Sequence, residues 1–163
     1  SYAFDGGFSL AGGVSSPQDE ILGEQNDIFG LEAAYTADDY GVAVAFADAE
    51  TATSVGLNGY YTFDFATISA GYETNDIDDD TADDTSTFFA GVTKEVGPGT
   101  LEFGYASTDT DPLGLAQDDT FYLYEASYAY PVNDTLTITP GIGVVDVELG
   151  ETTFAAVKAS FSF

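Results

Sequence analysis

The chain of 163 residues contains no cysteine, histidine, arginine, tryptophan or methionine. The lack of histidine and cysteine removes the most frequent general base, thiol nucleophiles, disulfides and the usual ligands of zinc and copper. Glycoside hydrolysis needs two carboxyl groups at a defined separation, and no such pair stands out among the 29 acidic residues. We therefore expect a protein that is not an enzyme, with no catalytic residue and no cofactor-binding residue.

Basic residues are also scarce, because only Lys94 and Lys158 oppose the 29 acids and leave a net charge of −27. Nucleic acid is excluded as a partner, since neutralising phosphates requires lysine and arginine. The 44% of hydrophobic residues argues against a disordered acidic tail. Such an unbalanced charge predicts a saline, marine habitat, where dissolved ions screen the repulsion between the acids.

Apolar and small or polar residues alternate along nearly the whole chain, which is the period of a β-strand. In one segment Tyr40, Val42, Val44 and Phe46 alternate with Gly41, Ala43, Ala45 and Ala47. The pattern recurs about ten times and predicts strands at 2–14, 28–36, 40–47, 55–62, 65–73, 87–94, 100–108, 120–130, 135–145 and 152–163.

Two features of these segments favour a membrane protein. They run for about nine to twelve residues, whereas strands of soluble proteins run for about five or six. Their second face carries mainly Gly, Ala, Ser and Thr instead of the Lys, Arg and Glu of a soluble surface. The sequence predicts an all-β antiparallel transmembrane β-barrel with about ten strands visible. We expect residues 1–163 to form one barrel domain or barrel fragment, without a second domain.

A soluble alternative stays open at this point. A secreted or surface-exposed acidic β-protein, such as an adhesin or a surface-layer or filament subunit, would have to pack two sheets through their aromatic faces.

The connections between the predicted strands alternate in length. The short ones are 36–40, 62–65, 94–100 and 130–135, and the longer ones are 15–27, 48–54, 74–86, 109–119 and 146–151. Barrels of outer membranes have short periplasmic turns and longer external loops. Tyr35, Tyr40, Phe63, Phe65 and Tyr130 lie beside short turns, and this placement predicts an aromatic girdle at the periplasmic end.

Three stretches resemble outer-membrane porins of cyanobacteria, in the carbohydrate-selective group: residues 33–43, 128–140 and the closing 157–163. The resemblance implies passive diffusion of small hydrophilic solutes and ions through the outer membrane of a Gram-negative-type bacterium. It also implies contact with outer-membrane lipid, a homotrimer, and recognition by the barrel-assembly machinery through the terminal Phe163. Porins of that group are longer and begin with a surface-layer-homology region. We therefore expect either the C-terminal part of such a porin or a shorter relative.

Five charged residues fall on the predicted lumen face: Glu32, Glu73, Glu102, Glu125 and Lys158. The glutamates would form a negative wall that attracts cations, which predicts a weak cation preference. Alternatively, they bridge through water or Lys158 and merely keep the interior polar.

An aspartate-rich segment begins like a calcium-binding loop. The EF-hand pattern fails in it, since Thr81 and Thr87 stand where glycine and glutamate are required. Loose binding of Ca²⁺ or Mg²⁺ stays open for Asp76, Asp78, Asp80, Asp83 and Asp84. The other interpretation is a solvated acidic loop outside the membrane.

Overall fold

The computed structural model describes residues 1–15, 28–49, 52–77, 84–111, 119–147 and 150–162. These residues form one antiparallel sheet of eleven strands whose spatial order follows the chain, which confirms the predicted all-β antiparallel architecture. Ten of the strands have eight residues or more. The strands are β1 (Tyr2–Ala3), β2 (Phe8–Ser15), β3 (Ile28–Thr36), β4 (Tyr40–Ala49), β5 (Ala52–Phe63), β6 (Ala66–Ile77), β7 (Asp84–Val96), β8 (Gly99–Asp111), β9 (Asp119–Asn133), β10 (Leu136–Val147) and β11 (Gly150–Phe161). No helix within the described ranges has the length and hydrophobicity needed to cross a membrane.

The first strand differs from the expectation of one continuous segment over 2–14. Gly6 and Gly7 have φ angles of 91° and 89°, and two successive residues with positive φ reverse an antiparallel chain. Tyr2 consequently pairs with Leu10 in a short hairpin of β1 and β2. The expectation was wrong because alternation persists through the turn, so that Tyr2 and Leu10 share a face in either arrangement.

The four short connections are confirmed as tight turns. At the β9–β10 turn, the side-chain Oδ1 of Asn133 accepts hydrogen bonds from the backbone N–H groups of Thr135 and Leu136, both at 2.9 Å. Two of the expected longer connections were wrong, because the strands continue into them. Pairing reaches Ala49 with Ala52 and Val147 with Gly150, which leaves only residues 50–51 and 148–149 between those strands.

One face of the sheet is apolar along its whole width. The register joins Leu10, Ala33, Val44, Leu57, Tyr72 and Phe88 in a single row across six strands. We call this side the apolar face. Every second residue of each strand belongs to it, and in each strand these are the residues of the mainly apolar set. None of the described hydrophobic side chains is buried, and Val157 and Val14 are 72% and 69% exposed. The soluble alternative required two sheets with a shared core, whereas the described residues form one sheet without one.

Aromatic rings border the apolar face at the end with the short turns. Phe8 contacts Tyr35, Tyr35 contacts Tyr40, and their ring centroids are 4.6 and 5.7 Å apart. The ring centroids of Phe63 and Phe65 lie 5.5 Å apart, and those of Tyr128 and Tyr130 on β9 lie 6.4 Å apart at the same end. A girdle of this kind marks the boundary between hydrocarbon and head groups in outer-membrane barrels.

Candidate functional site

The opposite face of the sheet, which we call the polar face, carries all five charged residues expected in the lumen. Glu32 and Glu73 belong to one row, which runs from Glu32 through Ala45 and Gly56 to Glu73. Three strand spacings of about 4.8 Å separate their backbones by roughly 14 Å. The two residues between them have no bulky side chain, so both carboxylates border the same open stretch of the face.

Glu102 lies three residues from the short turn that precedes β8, and Glu125 lies near the middle of β9. Glu102 pairs with Ser127 across the strands, and the Ser127 hydroxyl donates to its Oε2 at 3.4 Å. Glu125 pairs with Gly104, and its side chain lies over that glycine. All four glutamates are exposed, so their carboxylates are available to solvent.

Hydroxyl and amide groups connect neighbouring strands on the polar face. Ser54 donates to the Asn75 Oδ1 at 2.5 Å, and the Asn75 amide donates to Thr85 at 3.2 Å, so one chain of bonds crosses β5, β6 and β7. Thr87 and Thr108 share a hydrogen bond of 3.0 Å between β7 and β8. Such short polar side chains leave the face wettable without filling the space in front of it.

The two lysines lie on opposite faces. Lys158 on β11 pairs with Thr139 and belongs to the polar face. It borders a shallow hollow of about 230 Å³ that Glu125 and Phe154 also line. Lys94 on β7 pairs with Leu101, between Val92 and Val96, and belongs to the apolar face. Within the described part of the chain, neither lysine forms an ion pair.

Sequence reasoning missed the contacts between aromatic rings and glycines on the polar face. Phe89 and Phe154 lie across Gly71 and Gly143, their direct cross-strand partners, and Tyr60 lies across Gly41 in the same way. These three glycines are buried in the described structure. An aromatic residue that breaks the alternation is a signal in the sequence. The glycine that faces it can be identified only when the strand register is known.

The aspartate cluster is only partly described. Asp76 and Asp84 close the paired ends of β6 and β7, and the Ile77 N–H donates to the Asp84 Oδ1 at 2.8 Å. Asp78, Asp80 and Asp83 lie outside the described residues. Across the ranges that the structure describes, no group of three or more acidic side chains is arranged to hold a metal ion.

The chain is similar to known porins in sequence profile and in fold. The family profile described as Gram-negative porin matches residues 1–148. OmpT of Vibrio cholerae, as expressed in the outer membrane, shares 16% identity over 99% of this chain and 63% of its own, with a TM-score of 0.78. The loop L8 deletion mutant of OmpT shares 16% identity over 98% of this chain and 60% of its own, with a TM-score of 0.81. A refined porin structure shares 22% identity over 89% of this chain and 55% of its own, with a TM-score of 0.67. No curated protein sequence matches the chain.

A sheet with one lipid-like face, an aromatic border and a polar opposite face has the architecture of an outer-membrane β-barrel protein. The chain belongs to the Gram-negative porin family, and it is a protein of the outer membrane. It spans 55% to 63% of the length of the solved structures described above, and the likeness to them establishes the fold.

Proposed function

We propose that the described sheet is part of the wall of a porin that lets small hydrophilic solutes and ions diffuse passively across the outer membrane. The observation that carries the proposal is that the same strands form a continuous apolar face on one side of the sheet and a continuous polar face on the other. Leu57 and Tyr72 belong to the apolar face, while their neighbours Gly56 and Glu73 belong to the polar face. Polar side chains inside and apolar ones outside are the arrangement of a water-filled barrel in lipid.

The proposal requires more strands than the described residues supply. β1 and β11 are the two edges of the sheet and do not pair with each other. An open edge within hydrocarbon would leave backbone N–H and C=O groups without partners, which costs several kcal/mol for each group. About eight strands enclose only side chains, whereas about sixteen enclose a channel. We therefore propose that further strands of the intact protein close the barrel.

We propose a weak preference for cations. Glu95 of β7 pairs with Thr100 and belongs to the same polar face. With Glu32, Glu73, Glu102 and Glu125 it opposes the single charge of Lys158 on the described part of that face. Rings of acidic side chains attract cations and repel anions in pores. The proposal includes no enzymatic step and no tightly bound cofactor. It includes loose binding of Ca²⁺ or Mg²⁺ at the acidic strand ends.

Several finer points stay predictions. They are the cyanobacterial lineage, the selectivity for carbohydrate, the marine habitat, the homotrimer, and recognition by the barrel-assembly machinery through Phe163, which lies outside the described residues.

The test is reconstitution of the intact protein into planar lipid bilayers. We expect stepwise conductance increases and, across a KCl gradient at low salt, a reversal potential of the sign that potassium permeation gives. Membranes that stay electrically silent and vesicles that stay impermeable to small sugars would refute the channel. A reversal potential of the opposite sign would refute the cation preference alone.

A further inference from the structure

We propose that Lys94 binds the phosphate group of a glycerophospholipid at the short-turn end of the apolar face. The proposal rests on the outward orientation of the apolar face in the proposed channel. It assigns a lipid site to a position that the transport of solutes does not use.

The register places Lys94 among apolar neighbours. Along β7 it lies between Val92 and Val96, and across the strands it pairs with Leu101. The side chain is exposed and has no ion-pair partner among the described residues. A charged ammonium group on a face that contacts hydrocarbon is costly unless it reaches the head-group region and finds an anion there.

The head-group region is within reach of Lys94. The residue precedes the turn at Gly97 and Pro98 by only a few positions, and the two residues to Val96 correspond to roughly 7 Å along the strand. A lysine side chain is about as long as this distance. It can therefore direct its ammonium group to the interface while its methylenes stay in contact with apolar neighbours.

Lys94 also interrupts the aromatic girdle. The contacting rings of Phe63 and Phe65 lie on one side of it, beyond β6, and the ring of Tyr128 lies on the other. Tyr128 is fixed there because its hydroxyl donates to the backbone oxygen of Val96 at 2.8 Å and its ring lies across Gly99. Lys94 thus lies between two groups of aromatic rings at the membrane boundary. This position suits the phosphate of a lipid whose acyl chains lie along the apolar face.

Charge complementarity identifies the occupant. The chain has 29 acidic residues and two lysines, so the surface repels anions almost everywhere. Lys158 lies on the polar face, which leaves Lys94 as the basic side chain of the described apolar face. The anion that membrane lipid supplies at this depth is phosphate, and one lysine near an anionic surface contributes about a fivefold gain in binding.

The test uses the intact protein in detergent micelles, titrated with phosphatidylglycerol or with digalactosyldiacylglycerol, which has no phosphate. Bound lipid is counted by native mass spectrometry. We expect Lys94→Gln to lower the affinity for phosphatidylglycerol about fivefold, Lys94→Arg to retain it, and binding of the galactolipid to be equal in all forms. Lys158→Gln is the matched control, since it removes the same charge from the other face and should leave phosphatidylglycerol binding unchanged.

A second measurement needs no variant. Acetylation of Lys94 and Lys158 in the unaltered protein is followed by mass spectrometry, and phosphatidylglycerol should protect Lys94 more than the galactolipid does, while Lys158 reacts equally in both. Equal protection of Lys94 by both lipids, or equal binding by Lys94→Gln and the unaltered protein, would overturn the lipid site. Protection of Lys158 instead would overturn the outward orientation of the apolar face. Conductance of Lys94→Gln in bilayers reports separately on the channel, which should be unaffected.

Discussion

The ring of Phe154 on β11 lies across the backbone of Gly143, its direct partner on β10. Phe89 and Gly71 repeat the arrangement on β7 and β6. In both pairs the ring occupies the space that a β-carbon would take, so a residue without a side chain is needed opposite the ring. The polar face can therefore carry large rings without losing the free space in front of it.

The first prediction follows from these pairs. Gly143→Ala would place a methyl group within the ring of Phe154, which must then swing away from the sheet. The clashing atoms are at the far end of the Phe154 side chain, which is 40% exposed, so turning the ring away from its rotamer should cost about 0.5–1.5 kcal/mol of unfolding free energy. We also expect a lower single-channel conductance as the ring enters the lumen.

Gly56→Ala is the matched control, because the added methyl group would meet no atom within 4 Å on the same face. Chemical unfolding in detergent and conductance in planar bilayers measure the two effects. Equal stability and conductance for the two variants would contradict the role assigned to the Phe154 ring.

The second prediction tests which face contacts lipid. Val44→Arg should lower the unfolding free energy by about 2–4 kcal/mol, the cost of an arginine near the middle of the lipid-facing surface of a barrel. Ala45→Arg, one residue along β4, should cost much less, because Ala45 pairs with Glu32 on the polar face. Reversible unfolding of the intact protein in lipid vesicles supplies the comparison. A larger loss for Ala45→Arg would mean that the two faces have been assigned the wrong way round.

Much of this architecture could be predicted because alternation alone fixes which residues share a face. Val44 and Leu57 belong to strands predicted separately, and pairing joins them in one row. The hairpin at Gly6 and Gly7 could not be found in this way, since a tight turn preserves the alternation of the flanking residues. The length of a connection was equally hidden, because polar residues such as Asp48 and Thr53 suit the end of a membrane strand as well as a loop.

For the candidate site, the face of each residue could be predicted from the sequence, but its neighbours on that face could not. The register gave Glu32 and Glu73 the face that their sequence parity predicted. Their membership of one row, however, depends on how far each strand is shifted against the next. A shift of two residues in any pair would preserve the face and separate the rows. The contact between Phe154 and Gly143 was missed for the same reason.

The third prediction concerns the charge of the polar face. The double variant Glu32→Gln/Glu73→Gln should lower the permeability ratio of potassium to chloride, because it removes two carboxylates that border one stretch of the proposed lumen. The difference from the unaltered protein should shrink as the Debye length falls from about 10 Å at 0.1 M to about 3 Å at 1 M salt.

Asp146→Asn/Glu151→Gln removes the same charge from the other side of the sheet, where these two residues pair on the apolar face. Reversal potentials across a KCl gradient should distinguish the two double variants at low salt. If both shift the ratio equally, the preference arises from total charge instead of from the polar face.

The last prediction concerns the acidic strand ends opposite the short turns. Asp76, Asp84 and Asp109 line one hollow there, and only two lysines exist in the chain to neutralise 29 carboxylates. Dissolved ions must therefore relieve the repulsion. We expect the unfolding temperature to rise with salt, and to rise more steeply with Mg²⁺ than with Na⁺ at equal ionic strength, because a divalent cation can bridge neighbouring carboxylates.

The triple variant Asp76→Asn/Asp84→Asn/Asp109→Asn should lose most of the extra effect of Mg²⁺. Asparagine keeps an oxygen that can accept the bond that Asp84 receives from the Ile77 N–H and the one that Asp109 receives from the Thr120 hydroxyl. The loss would therefore report on charge and not on broken hydrogen bonds. Asp38→Asn/Asp39→Asn/Asp64→Asn removes three charges from two short turns and should retain the full response, because it leaves the acidic strand ends at the opposite side of the sheet unchanged. Melting curves in detergent at matched ionic strength decide the matter, and an unchanged Mg²⁺ response in the first triple variant would exclude the acidic strand ends as its source.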